Sequence, residues 1–192
     1  VTVSTQKLQE YYGHINKNMM VVENAHNDYL YPLKKIENKN QIVNWRGSHT
    51  HRGDLYTVRD QIIDIANKNK DWQFSFISSD LWYMTEYIEN SLYYEGTDIN
   101  MYFEIIKKLQ PSINIFPLEK NSFNEAKSNI SWLEATFSGS IMISPDLPEF
   151  QKPGVITYNS YDKFSYYLEK ALKSISFRKA NYNKSFEYIN DN

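Results

Sequence analysis

The chain has 192 residues, 41% of them hydrophobic and 23% charged, with a formal net charge of -2 at pH 7. This composition is typical of one globular domain, and it gives no support for nucleic-acid or membrane-surface binding through bulk charge. The absence of cysteine excludes disulfides and thiolate metal sites, and it favours a cytoplasmic location. We expect no membrane span and no signal segment, because no apolar run approaches the roughly 18 residues that a span requires.

Short apolar runs alternate with amphipathic stretches, a pattern typical of an α/β domain with a mostly parallel sheet. No repeat or linker interrupts it, so residues 1–192 are predicted to form a single domain. Asp54 is predicted to cap a helix, and Gly139 to close another. In chain order the prediction is strands at 19–22 and 41–45, helix 54–67, strand 72–77, helix 81–88, strand 92–94, helix 99–109, strand 113–116, helix 130–138, strands 141–143 and 155–158, and helix from 161 onward.

Three loops that follow predicted strands carry polar residues. The first is the stretch WRGSHTHRGDL at 45–55, the second is 78–80, which begins with Ser78, and the third is 117–129. Ligands of a parallel α/β sheet bind beyond the carboxyl ends of the strands. We therefore expect these loops to contribute to one site.

The third loop leads into the helix that carries Glu134. Ser128 or Asn129 is a natural N-cap, so the first free backbone N–H groups of this helix should face the strand ends. Such a helix start favours an anion, and Lys127 beside it adds a full positive charge. Glu134 can accept hydrogen bonds from sugar hydroxyls. The combination suits a nucleotide, with a capped helix and a simple Lys–Glu pair as the alternative.

The first loop supports three interpretations. His49 and His51 form an H-x-H pair that could bind a metal, but a metal-dependent hydrolase needs further ligands, and Asp54 is assigned to a helix cap. The tripeptide RGD within the loop would indicate adhesion only at an exposed tip, whereas here it falls at a helix start. Arg46-Gly47-Ser48 follows an apolar run and is typical of a phosphate-binding turn. We expect no metal site.

Five segments resemble the motifs of a known family in their order and spacing. They are VTVST followed by Leu8, MVVENA at 20–25, FNEAKSN at 123–129, SWLEATFSGSIMI at 131–143, and Pro148-Glu149. The resemblance is to the nucleotide-sugar-binding, C-terminal half of GT-B glycosyltransferases of the family 4 type. In this family the second segment usually leads to an aspartate, here Asp28.

This resemblance implies a Rossmann-like parallel sheet with helices on both faces, which is one half of a GT-B fold. The N-terminal acceptor domain is expected to be absent from this chain. The implied activity is hexosyl transfer, with retention of configuration, from a nucleotide-diphosphate sugar to a glycan, lipid or protein acceptor. No cofactor or essential metal is implied, because fixed cations and amides would stabilise the donor phosphates. The chain alone should bind the donor and turn over poorly.

The resemblance also assigns residues. Glu134 matches the glutamate that holds the nucleotide ribose, and Arg46 matches the arginine that neutralises phosphate. His51 stands where a lysine is usual, and Ala126 stands where a glutamate usually touches the donor sugar, so Lys127 is expected to share the anion-binding role. The predicted catalytic residues are Arg46, Lys127 and Glu134, and the predicted donor-binding residues are Gly47, Ser48, His51, Ser78, Leu118, Asn124, Ser128, Asn129 and Ile130.

Two alternatives to a transferase remain open from the sequence. One is a non-catalytic nucleotide-binding or interaction module on the same fold, and the other is the metal-dependent hydrolase that uses His49 and His51. Among the aromatic residues, Trp45 and Trp132 are predicted to lie in the core. The remaining candidates, Tyr83, Tyr87, Tyr93, Tyr94 and Tyr102, are interpreted as residues at the edge of the core.

Overall fold

A six-stranded, all-parallel sheet forms the centre of the fold. The computed structural model describes residues 1–27 and 40–191. A separate pair of two-residue strands lies near the start of the chain. The strands are β1 (Thr2–Val3), β2 (Met20–Val21), β3 (Asn40–Arg46), β4 (Gln73–Ser78), β5 (Ser91–Glu95), β6 (Pro111–Ile115), β7 (Ile141–Pro145) and β8 (Ile156–Tyr158).

Helices connect the strands and cover the sheet. Two short 3-10 turns, His49–His51 and Pro148–Phe150, occur in addition to the α-helices. None of the helices within the described ranges is long and apolar enough to cross a membrane. The helices are α1 (Gln6–Tyr12), α2 (Arg52–Tyr56), α3 (Arg59–Lys68), α4 (Met84–Tyr87), α5 (Ile99–Leu109), α6 (Ser122–Glu125), α7 (Ile130–Phe137), α8 (Tyr161–Lys173) and α9 (Ile175–Asp191).

The strand order of the large sheet is β5-β4-β3-β6-β7-β8. Each neighbouring pair is parallel. This is the doubly wound order, in which two three-stranded halves meet at a switch point, here between β3 and β6. Ligands of such sheets bind in the crevice beyond the carboxyl ends of the strands at that point. The predicted fold class is confirmed.

Side chains of consecutive strand residues enter different core clusters, because they alternate across a sheet. Val43 and Trp45 of β3 join the cluster formed with α3, α4 and α8, whereas Ile42 joins the cluster formed with α5. Ile143 and Met142 of β7 divide in the same way, and Met142 packs with α7. Helices therefore cover both faces of the sheet, and the strand ends are the open edge at which a ligand can enter.

The helix predicted at 54–67 is two helices, α2 and α3, separated by a short break. The prediction that Asp54 caps this helix is wrong, since the residue lies inside α2 and is only 6% exposed. Its carboxylate accepts hydrogen bonds from outside the helix, from the backbone N–H of Glu119 and the side chain of Asn124. A tertiary contact has overridden the local capping preference.

The start of the chain is tied to the rest of the domain through one buried threonine. The Thr5 hydroxyl accepts a hydrogen bond from the backbone N–H of Leu8, which caps α1, and donates to the backbone oxygen of Ala126 at 3.0 Å. The sequence pattern gives no indication of β1, α1 or α6, which are too short for a periodic signal. The prediction on Asp28 lies outside the described residues.

The last helix, α9, packs against Gly154 of the loop before β8 and also against α7. Gly154 has a φ of 81°, and a Cβ there would overlap the backbone oxygen of Asn181 and the hydroxyl of Ser185, both in α9. The Ser185 hydroxyl also accepts a hydrogen bond of 3.1 Å from the indole N–H of Trp132 in α7. The helix that carries Glu134 is thus held from behind by α9.

Candidate functional site

A pocket of about 430 Å³ opens beyond the carboxyl ends of β3, β4 and β5, beside the start of α5. This volume falls within the range of about 300–1,000 Å³ that small-molecule sites occupy. The pocket lies next to the switch point of the sheet, where the fold is expected to bind a ligand. Its lining residues are Arg46, Gly47, Ser48, Ile77, Ser79, Gly96, Thr97, Ile99, Tyr102 and Glu134.

An ion pair forms the polar wall of this pocket. Arg46 is the last residue of β3, and its guanidinium donates to the carboxylate of Glu134 in α7. The hydroxyl of Tyr102 in α5 lies 3.4 Å from the same carboxylate oxygen, and the Arg46 guanidinium lies 5.5 Å from the centre of the Tyr102 ring. Three elements that are distant in sequence therefore place a cation, an anion and a phenol in contact.

Burial and charge act in opposite directions on this group of residues. Burial raises the pKa of Glu134, and the charge and hydrogen bond of Arg46 offset this only in part. Burial also raises the pKa of Tyr102, and the carboxylate of Glu134 adds to that effect. Burial lowers the pKa of Arg46, but the charges and hydrogen bonds of Glu134 and Tyr102 together outweigh it and leave the pKa above its ordinary value. The arginine is thus a fixed cation, while the glutamate is held at a cost in desolvation.

The raised pKa of Glu134 predicts a pH dependence of the free energy of unfolding. In the unfolded chain this carboxyl titrates near the ordinary glutamate value of about 4.3. Between that value and the higher folded pKa the folded state binds more protons, so the contribution of Glu134 to stability falls as pH rises through the folded pKa. Glu134→Gln cannot titrate and should lack this fall, which urea unfolding at several pH values between about 4 and 7 measures.

The quantity to compare is the difference in unfolding free energy between wild type and Glu134→Gln. As pH rises, the unfolding free energy of Glu134→Gln should increase relative to that of the wild type. All other carboxyls titrate in both proteins and cancel in the difference. A difference that is constant with pH, or that moves in favour of the wild type, would contradict the prediction.

A second polar cluster surrounds Asp54, beside the loop that follows β6. The His51 Nδ1 atom lies 2.8 Å from one carboxylate oxygen of Asp54, and the Lys127 ammonium lies 3.7 Å from that same oxygen. Lys127 also lies 3.0 Å from His51 Nδ1 and 3.3 Å from His51 Nε2. The other Asp54 oxygen accepts the Glu119 N–H and the Asn124 amide, each at 2.8 Å. Two predicted anion-binding residues, His51 and Lys127, therefore share one buried partner.

The predicted residues fall into three places. Arg46, Gly47, Ser48 and Glu134 line the pocket. His51, Lys127 and Asn124 belong to the Asp54 cluster, where Asn124 is 3% exposed and acts as a structural donor. The remaining predicted residues lie at the end of β4, in the loops before α7, or at the first residue of α7; they are Ser78, Leu118, Ser128, Asn129 and Ile130.

These five remaining residues do not line the pocket. Ser78 is buried and its hydroxyl donates to Asp80, so the pocket wall at this position is formed by Ser79. Ser128 accepts a hydrogen bond from Asn24. Leu118 lines a second pocket, of about 440 Å³, between the loop after β6 and the start of α8.

The start of α7 differs from the prediction in its capping. Asn129 occupies the N-cap position, but its side chain makes no capping hydrogen bond. The residue is 4% exposed, and its backbone oxygen accepts the N–H groups of Trp132 and Leu133. Ile130, the first residue of the helix, is 47% exposed. The N-terminal end of α7 is therefore determined by the burial of Asn129 and not by side-chain capping.

The backbone after β3 approaches its neighbours closely at Gly47. A Cβ at this position would lie 2.7 Å from the indole ring of Trp45 and 2.9 Å from the Cβ of His51. Any larger residue would push the chain away from the pocket or displace the Trp45 ring.

Sequence reasoning misses several residues of the site. Tyr102 was assigned to the core edge, yet its hydroxyl contacts Glu134. Gly96 and Thr97, which follow β5, line the pocket, and only their place between a strand and the Asp98 helix cap could have indicated them. Asp54 is predicted to be a helix cap, and no local pattern distinguishes a capping aspartate from a buried one that accepts hydrogen bonds from several elements.

The metal and adhesion interpretations of the first loop gain no support. Within residues 1–27 and 40–191, no group of three or more His, Asp or Glu side chains is placed to hold a metal ion. Next to His51 lies a cation, the Lys127 ammonium, 3.0 Å from its Nδ1 atom. Asp54 of the RGD tripeptide is buried inside α2 and cannot be presented to a receptor.

The strand order and the helices on both faces match a Rossmann-like half of a GT-B fold. Solved structures of this class match the chain. An S. aureus TarM variant, solved with fondaparinux, alpha-GlcNAc-glycerol and UDP, has a TM-score of 0.69 and 13% identity, over 100% of this chain and 40% of that chain. A glycosyltransferase from Rickettsia africae has a TM-score of 0.71 and 9% identity, over 100% of this chain and 58% of that one.

A third solved structure is itself a single domain. The C-terminal domain of LpcC from Francisella tularensis, a glycosyl transferase group 1 family protein, has a TM-score of 0.64 and 12% identity, over 86% of this chain and 97% of that chain. No family model matches the sequence, and no curated protein matches it. At these identities the likeness is one of fold. The chain spans about 40% to 58% of the length of the first two structures.

Proposed function

We propose that this chain is the donor-binding domain of a GT-B glycosyltransferase. It binds a nucleotide-diphosphate sugar, whose sugar is transferred with retention of configuration to an acceptor held by a second domain. The observation that carries the proposal is the Arg46–Glu134 ion pair in the pocket at the switch point of the sheet. Arg46 offers a positive charge to a phosphate, and Glu134 offers a carboxylate that can accept hydrogen bonds from the ribose hydroxyls.

A nucleotide would exchange partners with this pair. The ribose hydroxyls donate to Glu134, and a phosphate oxygen accepts from Arg46, so that neither buried charge is left unpaired. Tyr102 steadies the carboxylate from the α5 side. The rest of the pocket includes two glycines, Gly47 and Gly96, which leave the backbone accessible to a base and ribose.

The diphosphate would extend from Arg46 towards α7 and the Asp54 cluster. The N-terminal end of α7 carries partial positive charge, and Lys127 lies three residues before its first turn. Lys127 and His51 are each partly exposed, with 18% and 19% of the side chain accessible. These groups would stabilise the leaving nucleoside diphosphate as charge develops on it, so the proposed reaction needs no metal ion.

Two features of the related structures support the proposal. The S. aureus TarM variant was solved with UDP, and the LpcC domain that covers nearly the same fold is a C-terminal domain. The chain corresponds in length to only part of the larger proteins. An acceptor-binding partner domain, an acceptor that is a glycan, lipid or protein, and a cytoplasmic location all belong to this proposal.

A thermal-shift panel tests the proposal. The ligands are UDP, GDP, ADP and CMP, together with common sugar conjugates of these nucleotides. A ligand present at about 100 times its dissociation constant should stabilise the fold by about 2.7 kcal/mol. At least one nucleoside diphosphate should raise the melting temperature, and its nucleoside should raise it less. No shift with any ligand would overturn the proposal.

A non-catalytic nucleotide-binding module is the second candidate. Ala126 favours it, because this buried alanine stands where the resemblance predicts a glutamate that contacts the donor sugar. Joining the chain to an acceptor-binding half and measuring sugar transfer together with donor hydrolysis separates the two candidates. Donor binding without either reaction would favour the module.

A further inference from the structure

The two carboxylate oxygens of Asp54 serve two different sets of groups. Oδ1 accepts the Glu119 N–H and the Asn124 side-chain amide, both at 2.8 Å. Oδ2 lies 2.8 Å from His51 Nδ1 and 3.7 Å from the Lys127 ammonium. One oxygen thus fixes the loop after β6, and the other faces two basic groups, of which His51 packs beside Gly47 of the pocket wall.

This carboxylate is buried and remains ionised. Burial alone would raise the pKa of Asp54, but the hydrogen bonds from His51, Glu119 and Asn124, with the charge of Lys127, lower it below its ordinary value. An ionised carboxylate can only accept hydrogen bonds. The contact with His51 therefore requires that the Nδ1 atom carries a proton.

The position of Lys127 follows from the same geometry. Its ammonium lies at nearly equal distances from the two ring nitrogens of His51, 3.0 and 3.3 Å. Because Nδ1 carries the proton, only Nε2 has an in-plane lone pair that can accept from the ammonium, at 3.3 Å. It rests against the imidazole, with the charge of Asp54 behind it. Burial lowers the pKa of Lys127, and Asp54 opposes this effect.

We propose that Asp54 is a positioning residue of the donor site, which through Oδ2 holds Lys127 and a Nδ1-protonated His51 in place for the diphosphate. This inference rests on the proposed function. A bound diphosphate then meets an ammonium that is already placed, and Nδ1 of the imidazole stays turned towards Asp54. In a purely structural role, Asp54 would support the loop through Oδ1 and have no selective effect on phosphate binding.

Asp54→Asn tests this division between the two oxygens. The amide keeps an acceptor for Glu119 and Asn124 on one side, but it places an NH₂ group where Oδ2 faces His51 and Lys127. The matched control is Asp60→Asn, the same chemical change on an exposed residue of α3. The probes are UDP, uridine and inorganic pyrophosphate, titrated by calorimetry into the whole chain.

We expect Asp54→Asn to weaken UDP and pyrophosphate by about 10-fold, the loss that one charge-assisted contact predicts, while uridine changes by less than about 3-fold. Asp60→Asn should bind all three as the wild type does. Equal losses for UDP and uridine, or no loss for either, would overturn the inference. If the wild type itself binds none of the nucleotides in the thermal-shift panel, the proposed function fails instead.

Nitrogen NMR of His51 shows which ring nitrogen carries the proton. If Asp54 only supported the loop, Asp54→Asn would leave the proton on the same nitrogen. In the wild type the proton should be on Nδ1. In Asp54→Asn the amide donates to Nδ1, so the proton should move to Nε2. A spectrum with the proton on Nε2 in the wild type would contradict the proposed contact directly. If Asp54→Asn fails to fold, the wild-type spectrum still decides this point.

Discussion

Replacing Arg46 by methionine should weaken the binding of a nucleoside diphosphate by about 100-fold. A hydrogen bond to a charged group contributes about 1.5–3 kcal/mol, and about 2.7 kcal/mol corresponds to this factor. The parent nucleoside lacks the phosphates and should lose much less. Calorimetric titration of the wild type and the variant with both ligands measures the two losses.

The matched control for this change is Arg59→Met. Arg59 lies in α3, with its guanidinium 4.6 Å from the centre of the Tyr87 ring, and it does not line the pocket. Its loss should leave both affinities unchanged. Equal weakening of nucleoside and diphosphate by Arg46→Met would show that the arginine shapes the pocket and does not bind phosphate.

Arg46→Met also leaves Glu134 buried without its cation. Removing one partner of a buried pair costs about 3–5 kcal/mol when the other remains charged, and Glu134 can reduce this cost by taking up a proton. Binding should therefore be measured under conditions where the variant is fully folded. The double variant Arg46→Met with Glu134→Gln restores much of the stability without restoring phosphate affinity.

Gly154→Ala should lower the free energy of unfolding by about 3 kcal/mol. The left-handed conformation costs a residue with a Cβ about 1–2 kcal/mol, and overpacking against a rigid neighbour adds about 1–3 kcal/mol. The neighbour here is backbone, the carbonyl of Asn181, together with the Ser185 hydroxyl. For a chain of this size the loss corresponds to a fall in melting temperature of about 6–12 °C.

Gly139→Ala is the comparison that isolates the conformational part. Gly139 has a similar φ, 73°, so both substitutions share the left-handed cost. The excess loss at Gly154, measured by urea unfolding, reports the contact with α9. Equal losses at the two glycines would mean that α9 moves aside without cost, and that the overlap at Gly154 is relieved easily.

The sequence predicts the sheet well because its strands are buried on both sides. A strand that helices cover on both faces has a short apolar run as its sequence. The strands β3, β6 and β7 contain such runs. The helix predicted at 99–109 matches α5 at both ends, since Asp98 caps it and Pro111 follows it closely. Local signals were sufficient for these elements.

The site is less predictable, because its contacts join residues that are far apart in sequence. Tyr102 occupies an ordinary apolar position of α5, and only the folded chain brings it to Glu134, 32 residues later. Asp54 and Asn124 are 70 residues apart and bond to each other in the interior. Ser78 and Ser79 show the finer difficulty, since the alternation of side chains at a strand end decides which of two serines faces the pocket.

The packing of α9 behind α7 has a practical consequence for handling the protein. Trp132 is sealed by the last helix and shares a hydrogen bond with Ser185, two turns before that helix ends. A shortened chain that stops after α8 would expose this indole to water. It would also lack the helix that packs against α7, which carries Glu134. Expression fragments should therefore retain α9, and a weak nucleotide signal from a shorter piece would say nothing about the intact domain.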